Sequence, residues 1–388
     1  MNKKKLYLLM QAFPLKDRET PFIAPELPFL KEQFDVTVVP MEEVGISPLT
    51  RAVALAKSLL SPLVYTETVK GIKQGKKATK VFTFNLFVMW RAQCYASYLR
   101  KNVFESKEAT VYTYWYNELA LGALLLKNAY PEYKFVTRCH GYDLYDFRLP
   151  SDYQPYKEYM DDLLDKVVFI SHMGKKYYLE RYRREDCDKY SIAYLGVSRQ
   201  EKKLHEDSDT LHLVSCSNVI PVKRVPLICD ALSLIKDINI VWHHFGNGSD
   251  MDNIKQLVKL LPENISANLM GRVPNSEYMD WLKDNPADLF INVSSSEGLP
   301  VSLMEASSFG IPSIATDVGG SREIVSEENG ILLCSDPDAE TVAASIKEFF
   351  RMPADKKQQL GNNSYLKWQN NFDCAVNSRK FTDSLASL

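Results

Sequence analysis

The stretch "ADLFINVSSSEGLPVSLMEASSFGIPSIATD", residues 287–317, decides how this chain is read. It opens with "ADLFINV", an apolar run of strand length, then passes through a polar loop and a Gly-Leu-Pro break into an apolar helical segment. A second short apolar run, "IPSIATD", closes it. Strand, helix and strand in this order make a βαβ unit, with two parallel strands in a sheet covered on both faces. Glu297 stands in the loop leaving the first strand, and Glu305 follows eight residues later. Ligands of open α/β sheets bind beyond the carboxyl ends of the strands, so the chemistry is expected here.

The same alternation runs through most of the chain. "LYLLM", "FDVTVV", "TVYTYW", "YKFVTRC", "KVVFIS" and "YSIAYLG" lead to a charged patch, "SRQEKKLHEDSDT", at 198–210. The pattern restarts with "LHLVSCS", "INIVWHHFG", "NISANLMG", "ADLFINV", "IPSIATD" and "NGILLC". Two such series predict an α/β protein of two doubly wound, Rossmann-like domains, over 1–200 and 201–371, with a site in the cleft they face. A terminal helix at about 372–388 is expected to pack back onto the first domain. The length of 388 residues suits two domains of ordinary size.

Composition excludes several classes. Hydrophobic residues make up 45% and charged residues 25%, as in a globular protein, and a net charge of −2 gives no reason to expect nucleic acid. Seven scattered cysteines show no metal or disulfide spacing, and no run reaches transmembrane length. The expected location is therefore cytoplasmic. Residues 1–100 nevertheless hold 15 Lys and Arg against 8 Asp and Glu. The excess peaks in "VKGIKQGKKATK", where Lys70, Lys73, Lys76, Lys77 and Lys80 follow a partly amphipathic stretch, "RAVALAKSLLSPLVY". This segment suits docking on the inner face of an anionic membrane as well as it suits a solvated surface.

Around the glutamates, the first-turn N–H groups from Val301 to Leu303 and the helix dipole favour an anion such as phosphate. The carboxylates themselves would repel phosphate but accept hydrogen bonds from sugar hydroxyls. A nucleotide-sugar, anionic at its centre and hydroxylated at both ends, matches. Acidic residues that merely complement the helix dipole are the alternative.

The run S-x-x-E-G-L-P-x-x-x-x-E-A, followed by "GIPSIATDVGGSREIV", resembles the nucleotide-sugar motif of family-four retaining glycosyltransferases of GT-B architecture, such as those building bacterial exopolysaccharide and capsule. The resemblance implies that Glu297 holds hydroxyls of the transferred sugar and Glu305 the ribose. The backbone of Gly298, Leu299, Val301 and Ser302 would then meet the pyrophosphate and sugar. In "LVSCSNVIPVKRVPLICDAL", Lys223 matches the pyrophosphate lysine, whereas Asn218 stands where the family usually has Arg. Gly246, in the Gly-x-Gly turn of "VWHHFGNGSD", and Arg272 and Val273, in "NLMGRVPNSEYMDWL", would border the nucleotide. "FVTRCHGYDLY" places His140 at the family's transferred-sugar histidine, with Asp143 three residues on. Tyr114, Trp115 and Asn117 are candidates to line an acceptor site, and core packing fits them equally well.

The expected activity is retaining, metal-independent, hexosyltransferase-type transfer from a UDP-sugar, ahead of a GDP-sugar, to a saccharide or polyprenyl-linked acceptor in surface polysaccharide synthesis. No cofactor is implied. A dehydrogenase is disfavoured because the last glycine of G-x-G-x-x-G would fall on Met251. Asp-x-Asp at 207–209 and 336–338 reads as turns. A nucleotide-sugar-binding protein with little turnover and a nucleotide-sugar epimerase remain as alternatives.

Overall fold

The computed structural model describes all residues except 1, 2, 12–22, 43, 106, 150 and 202–207. Residues 12–22 after the first strand, and the middle of the charged patch with Asp207, thus lie outside the described residues.

The chain divides into two compact units. Unit 1 holds the first strand, Glu26–Ala193 and Arg379–Leu388; unit 2 holds residues 23–25 and Tyr194–Ser378. In unit 1 the strands are β1 (Lys4–Met10), β2 (Phe34–Pro40), β3 (Thr110–Thr113), β4 (Lys134–Cys139), β5 (Lys166–Phe169) and β6 (Tyr190–Ile192). They form one sheet in the order β2-β1-β3-β4-β5-β6, and every pairing is parallel. Unit 2 contains β7 (Thr210–Cys216), β8 (Asn239–Phe245), β9 (Ile265–Gly271), β10 (Leu289–Asn292), β11 (Ser313–Thr316) and β12 (Gly330–Leu333). Their order is β12-β11-β10-β7-β8-β9, again all parallel. Two Rossmann-like units were expected, and these are they.

Helices on the sheet faces explain the continuous apolar strands: residues 6–10 of β1 and all of β10 are buried. Side-chain caps start several of the helices. Ser171 Oγ accepts the Gly174 N–H at 3.0 Å, Asn117 Oδ1 that of Leu119 at 3.0 Å, and Asp338 Oδ1 that of Thr341 at 2.8 Å, each worth about 1 kcal/mol. Asp338 of the second Asp-x-Asp is therefore a helix cap.

One element of unit 1 defies its apolar surroundings. Arg138 in β4 is fully buried, donates to Glu26 Oε2 at 2.6 Å and to the Ala193 carbonyl at 2.9 Å, and lies 4.6 Å from the Phe381 ring centroid. Phe381 belongs to the helix Cys374–Ala386, whose final residues complete unit 1.

Candidate active site

In unit 2 the strand order reverses between β7 and β10, so their carboxyl ends open a crevice at the topological switch point. Two loops leave there. The one after β7 carries Asn218 and the short turn Pro221–Lys223; the one after β10 carries Ser294–Pro300 and enters the helix Val301–Ser308. They are stitched together. Ser295 N–H donates to the Val222 carbonyl at 2.8 Å, and Lys223 Nζ to Glu297 Oε1 at 2.6 Å. Asn292 Nδ2 also reaches Glu297 Oε1 at 3.3 Å, while its Oδ1 accepts the Ser294 N–H at 3.0 Å.

Arg224 has a different task from Lys223. With φ of +49°, it turns back to donate to the Val293 carbonyl at 2.6 Å and the Ser294 carbonyl at 2.9 Å. It also reaches the Ser335 carbonyl at 2.9 Å and Asp336 at 2.7 Å. The guanidinium thus clamps the loop after β10 to that after β12 and is spent on structure. Asn218 is exposed, so Lys223 is the cation this loop offers a ligand.

Pro300 is the N-cap of Val301–Ser308, and the helix has no side-chain cap. The Leu303 N–H already bonds to the Pro300 carbonyl at 3.2 Å. Of the three N–H groups expected to face an anion, those of Val301 and Ser302 therefore remain. Glu305 is buried in the second turn and accepts from Asn275 Nδ2 at 2.7 Å. Burial outweighs that bond and raises its pKa to about 7. Burial, with the neighbouring carboxyl, also pushes up the Cys216 thiol and, helped by Cys216, the Tyr278 hydroxyl.

Glycines fix the backbone around the crevice. A Cβ on Gly246 would stand 1.8 Å from the Ser217 carbonyl oxygen, and Gly246 has φ of +144°. Gly319, with φ of +53°, would place a Cβ 2.0 Å from the Glu297 carbonyl oxygen, and Gly320 N–H donates to the Gly298 carbonyl at 2.8 Å. Only glycine fits these approaches. Arg272 is exposed and Val273 half-buried, just past the carboxyl end of β9. His244, beneath the Gly246 turn, is buried, bonds through Nδ1 to Ser215 Oγ at 2.8 Å, and is held at a pKa of about 4 by burial. His243 packs on Trp281.

Unit 1 gathers a different set at the ends of β3 and β4. His140 is buried, with ring centroids of Trp115 and Tyr114 at 4.3 and 4.6 Å. Its Nδ1 lies 3.8 Å from Asp143 Oδ2, too far for a hydrogen bond, and burial lowers its pKa despite that carboxylate. Asp143 ties the two loops, accepting the His140 N–H and the Tyr116 N–H at 2.9 Å each. Beneath it, fully buried Lys157 donates to the Asp143 carbonyl at 2.5 Å and to the Tyr116 carbonyl, with its pKa lowered by burial to about 8. Burial opposes the Asp143 carboxylate, yet His140, Lys157 and the Tyr116 N–H together hold its pKa below the ordinary value. Tyr114 is a core residue, almost wholly buried. Trp115 is half-buried and packs on Tyr142, whose hydroxyl accepts from Asn117 Nδ2 at 2.8 Å and donates to Gln11 Oε1 at 3.2 Å.

The structure thus brings Lys223, Glu297, Gly298 and the start of the Val301 helix together in unit 2, while His140 belongs to unit 1. Sequence reading missed Asn292, Asn275, Gly319, the clamp made by Arg224, and Lys157. The Gly-Gly pair after β11 was a readable sign of a tight turn; the others had no local signal. Among the described residues no group of three or more His, Cys, Asp or Glu is arranged to hold a metal ion.

A crevice of this build, on a Rossmann-like sheet paired in the chain with a second one, defines the GT-B class. Residues 197–367 match the model of the glycosyl transferases group 1 family. That match takes in 171 of the 388 residues, including Asn218, Lys223, Glu297 and Glu305, and over it the chain is similar to group 1 glycosyltransferases, as the motif around Glu297 resembles. Among relatives, it is 26% identical over 204 residues to the O-antigen biosynthesis glycosyltransferase WbnH of Escherichia coli, covering 52% of this chain and 56% of that one. It is 21% identical over 266 residues to WcaL of Escherichia coli K12, assigned as a colanic acid biosynthesis glycosyltransferase, covering 66% of this chain. The chain spans only 64% of the length of that relative. In structure it is similar over its full length, and that of the neighbour, to Anabaena HepE solved with UDP and glucose, with a TM-score of 0.63 at 14% identity.

Proposed function

We propose that this protein transfers a sugar from a nucleoside diphosphate sugar to a saccharide acceptor in bacterial surface polysaccharide synthesis. The observation that carries this is the Lys223–Glu297 pair, 2.6 Å apart across the two loops of the switch point, with the Val301 helix beginning beside it. An ammonium has three donors, and one serves Glu297; the others suit diphosphate oxygens. Both described bonds to Glu297 use Oε1, which leaves Oε2 to accept from hydroxyls of the transferred sugar. The Val301 and Ser302 N–H groups complete the anion site, and Glu305 would accept from the ribose. Stabilising the diphosphate as it departs is the electrostatic core of such catalysis.

Retention of configuration, a hexosyl donor, independence of metal and uridine as the base are further parts of this reading. They are supported by the family motif and, for uridine, by the UDP in the HepE neighbour. Retention would follow from front-face transfer, with a donor phosphate oxygen taking the acceptor proton, so Glu297 positions the sugar and is no nucleophile. His140 would meet the transferred sugar, and Asp143 with Lys157 would set its position. A polyprenyl-linked acceptor is the form expected for polysaccharide assembly, and the names of WbnH and WcaL support that setting.

Asn218 favours a second reading. With Arg224 committed to structure and a neutral residue at 218, the diphosphate is held by one side-chain cation, as in a nucleotide-sugar binder with slow turnover. Calorimetric titration with UDP and with GDP in EDTA, followed by assay of UDP-sugars for UDP release, separates the readings. Binding of UDP with turnover is expected. Binding without release of UDP from any donor, acceptor present, supports the binder; binding of neither nucleotide refutes both.

A further inference from the structure

Unit 1 carries a surface that transfer chemistry leaves unexplained. Between Val44 and Phe104 the chain has ten Lys and Arg and a single acid, Glu67. That acid is buried and turned inward, where its Oε1 accepts the Tyr156 N–H at 2.9 Å and the Tyr153 hydroxyl. The outer surface of this segment is therefore without a single carboxylate.

Its two leading helices are apolar on the wrong side. Pro48–Leu59 buries Ala54 and Ser58; Pro62–Lys73 buries Val64, Glu67, Thr68 and Gly71. On the opposite face of the first, Leu49, Val53, Ala56 and Leu60 recur at helical spacing, with Leu49 75% and Leu60 81% exposed. On the second, Tyr65, Val69 and Ile72 do the same and are all exposed. Six of the eight exposed large apolar side chains within residues 49–72 lie on these two stripes, so they are patterned and not scattered. Lys70 is engaged by Glu158 at 2.6 Å and Lys76 lies 3.7 Å from Asp152. Lys57, Lys73, Lys77 and Lys80 are exposed and make no ion pair among the described residues.

We propose that this outer face, with Lys57, Lys73, Lys77 and Lys80 around it, seats unit 1 on an anionic lipid bilayer. The apolar stripes would enter the boundary between headgroups and acyl chains, and the ammonium groups would meet lipid phosphates. A protein partner fits less well, because protein interfaces are depleted in lysine. Among the described residues no helix is long and apolar enough to cross a membrane, so the seat is a peripheral one. It lies wholly in unit 1 and holds whatever unit 2 binds.

The test is flotation of the full chain with phosphatidylcholine vesicles, with and without phosphatidylglycerol, over a range of salt. Binding only to the anionic vesicles, weakening as salt rises, is expected. Replacing Lys73, Lys77 and Lys80 by Gln should lower partition about a hundredfold, near fivefold for each charge. A second variant, Leu49→Ser with Leu60→Ser, keeps the charge and should also reduce binding; an unchanged melting curve shows that it folds. Absence of wild-type binding to anionic vesicles overturns the proposal. So does binding that neither variant changes, or a concentration-dependent dimer that the Leu49→Ser, Leu60→Ser variant abolishes in a protein that ignores vesicles.

Discussion

The two six-stranded sheets share an all-parallel plan but reverse direction at different places. In unit 1 the reversal falls between β1 and β3, with two strands on one side and four on the other; in unit 2 it falls between β7 and β10, with three strands on either side. What the loops deliver differs more. The crevice of unit 2 holds an ammonium, two carboxylates and a helix start within about twenty residues of β10 and one turn after β7. Unit 1 offers Trp115, Tyr142, Asn117 and a histidine kept uncharged by burial, and its one lysine near His140 is sunk beneath the loops. A charged cradle suits a diphosphate, and a flat aromatic and amide surface suits a neutral saccharide. On the function proposed above, the same scaffold would serve two kinds of recognition because the side chains sit on loops, not in the sheets.

That contrast can be broken most severely at Lys223. Lys223→Ala should lower turnover about 10²–10³-fold, read as UDP release from an accepted UDP-sugar. An unaffected rate would remove Lys223 from the diphosphate site. In unit 1, Lys157→Met should cost about 3–5 kcal/mol in thermal or denaturant unfolding, since it strips a buried ammonium from two carbonyls and from Asp143. UDP affinity, a property of unit 2, should not move. If affinity falls in parallel, the division of labour between the units is wrong.

Glu305 gives a subtler handle. Its ordinary pKa of 4.5 is raised to about 7 in the folded chain, so the folded state binds the proton more tightly. Stability is complete below about 4.5 and is lost as pH rises through about 7, by about 3 kcal/mol at most. Glu305→Gln should flatten that slope in melts taken across this range, and a slope that persists would locate the proton elsewhere. The smallest effect is expected at Asn218. Asn218→Arg replaces a neutral hydrogen-bond donor by a charged one and should tighten UDP binding about fivefold by calorimetry. No gain would place residue 218 outside reach of the diphosphate.

Legibility followed the length of chain over which each feature was built. The two sheets could be read because a parallel strand buried on both faces is an unbroken apolar run, and a helix between such runs leaves few topologies. The Glu297–Glu305 region could be read because strand, loop and helix start lie in one short stretch, as does the turn that ends at Lys223. Arg224 and Lys223 are neighbours of the same charge, and nothing local distinguishes a clamp from a ligand-facing cation. Arg138 in an apolar strand and Lys157 in an amphipathic helix carried no sign of the depth at which they lie. The basic and apolar outer face of residues 49–80 was half visible: the lysines stood out, while the outward direction of Leu49, Val53 and Leu60 required the packed helices.

The sequence by itself determined the fold class, the family resemblance and which residues gather at the crevice in unit 2, because each is encoded in contiguous patterns of burial and polarity. Tertiary structure alone decided which charges are available. Lys223 meets Glu297 across 74 positions of sequence, Arg224 meets Asp336 across 112, and Arg138 meets Glu26 across 112. A charge's role depends on what surrounds it after packing, since burial and the nearest partner set its cost and its pKa.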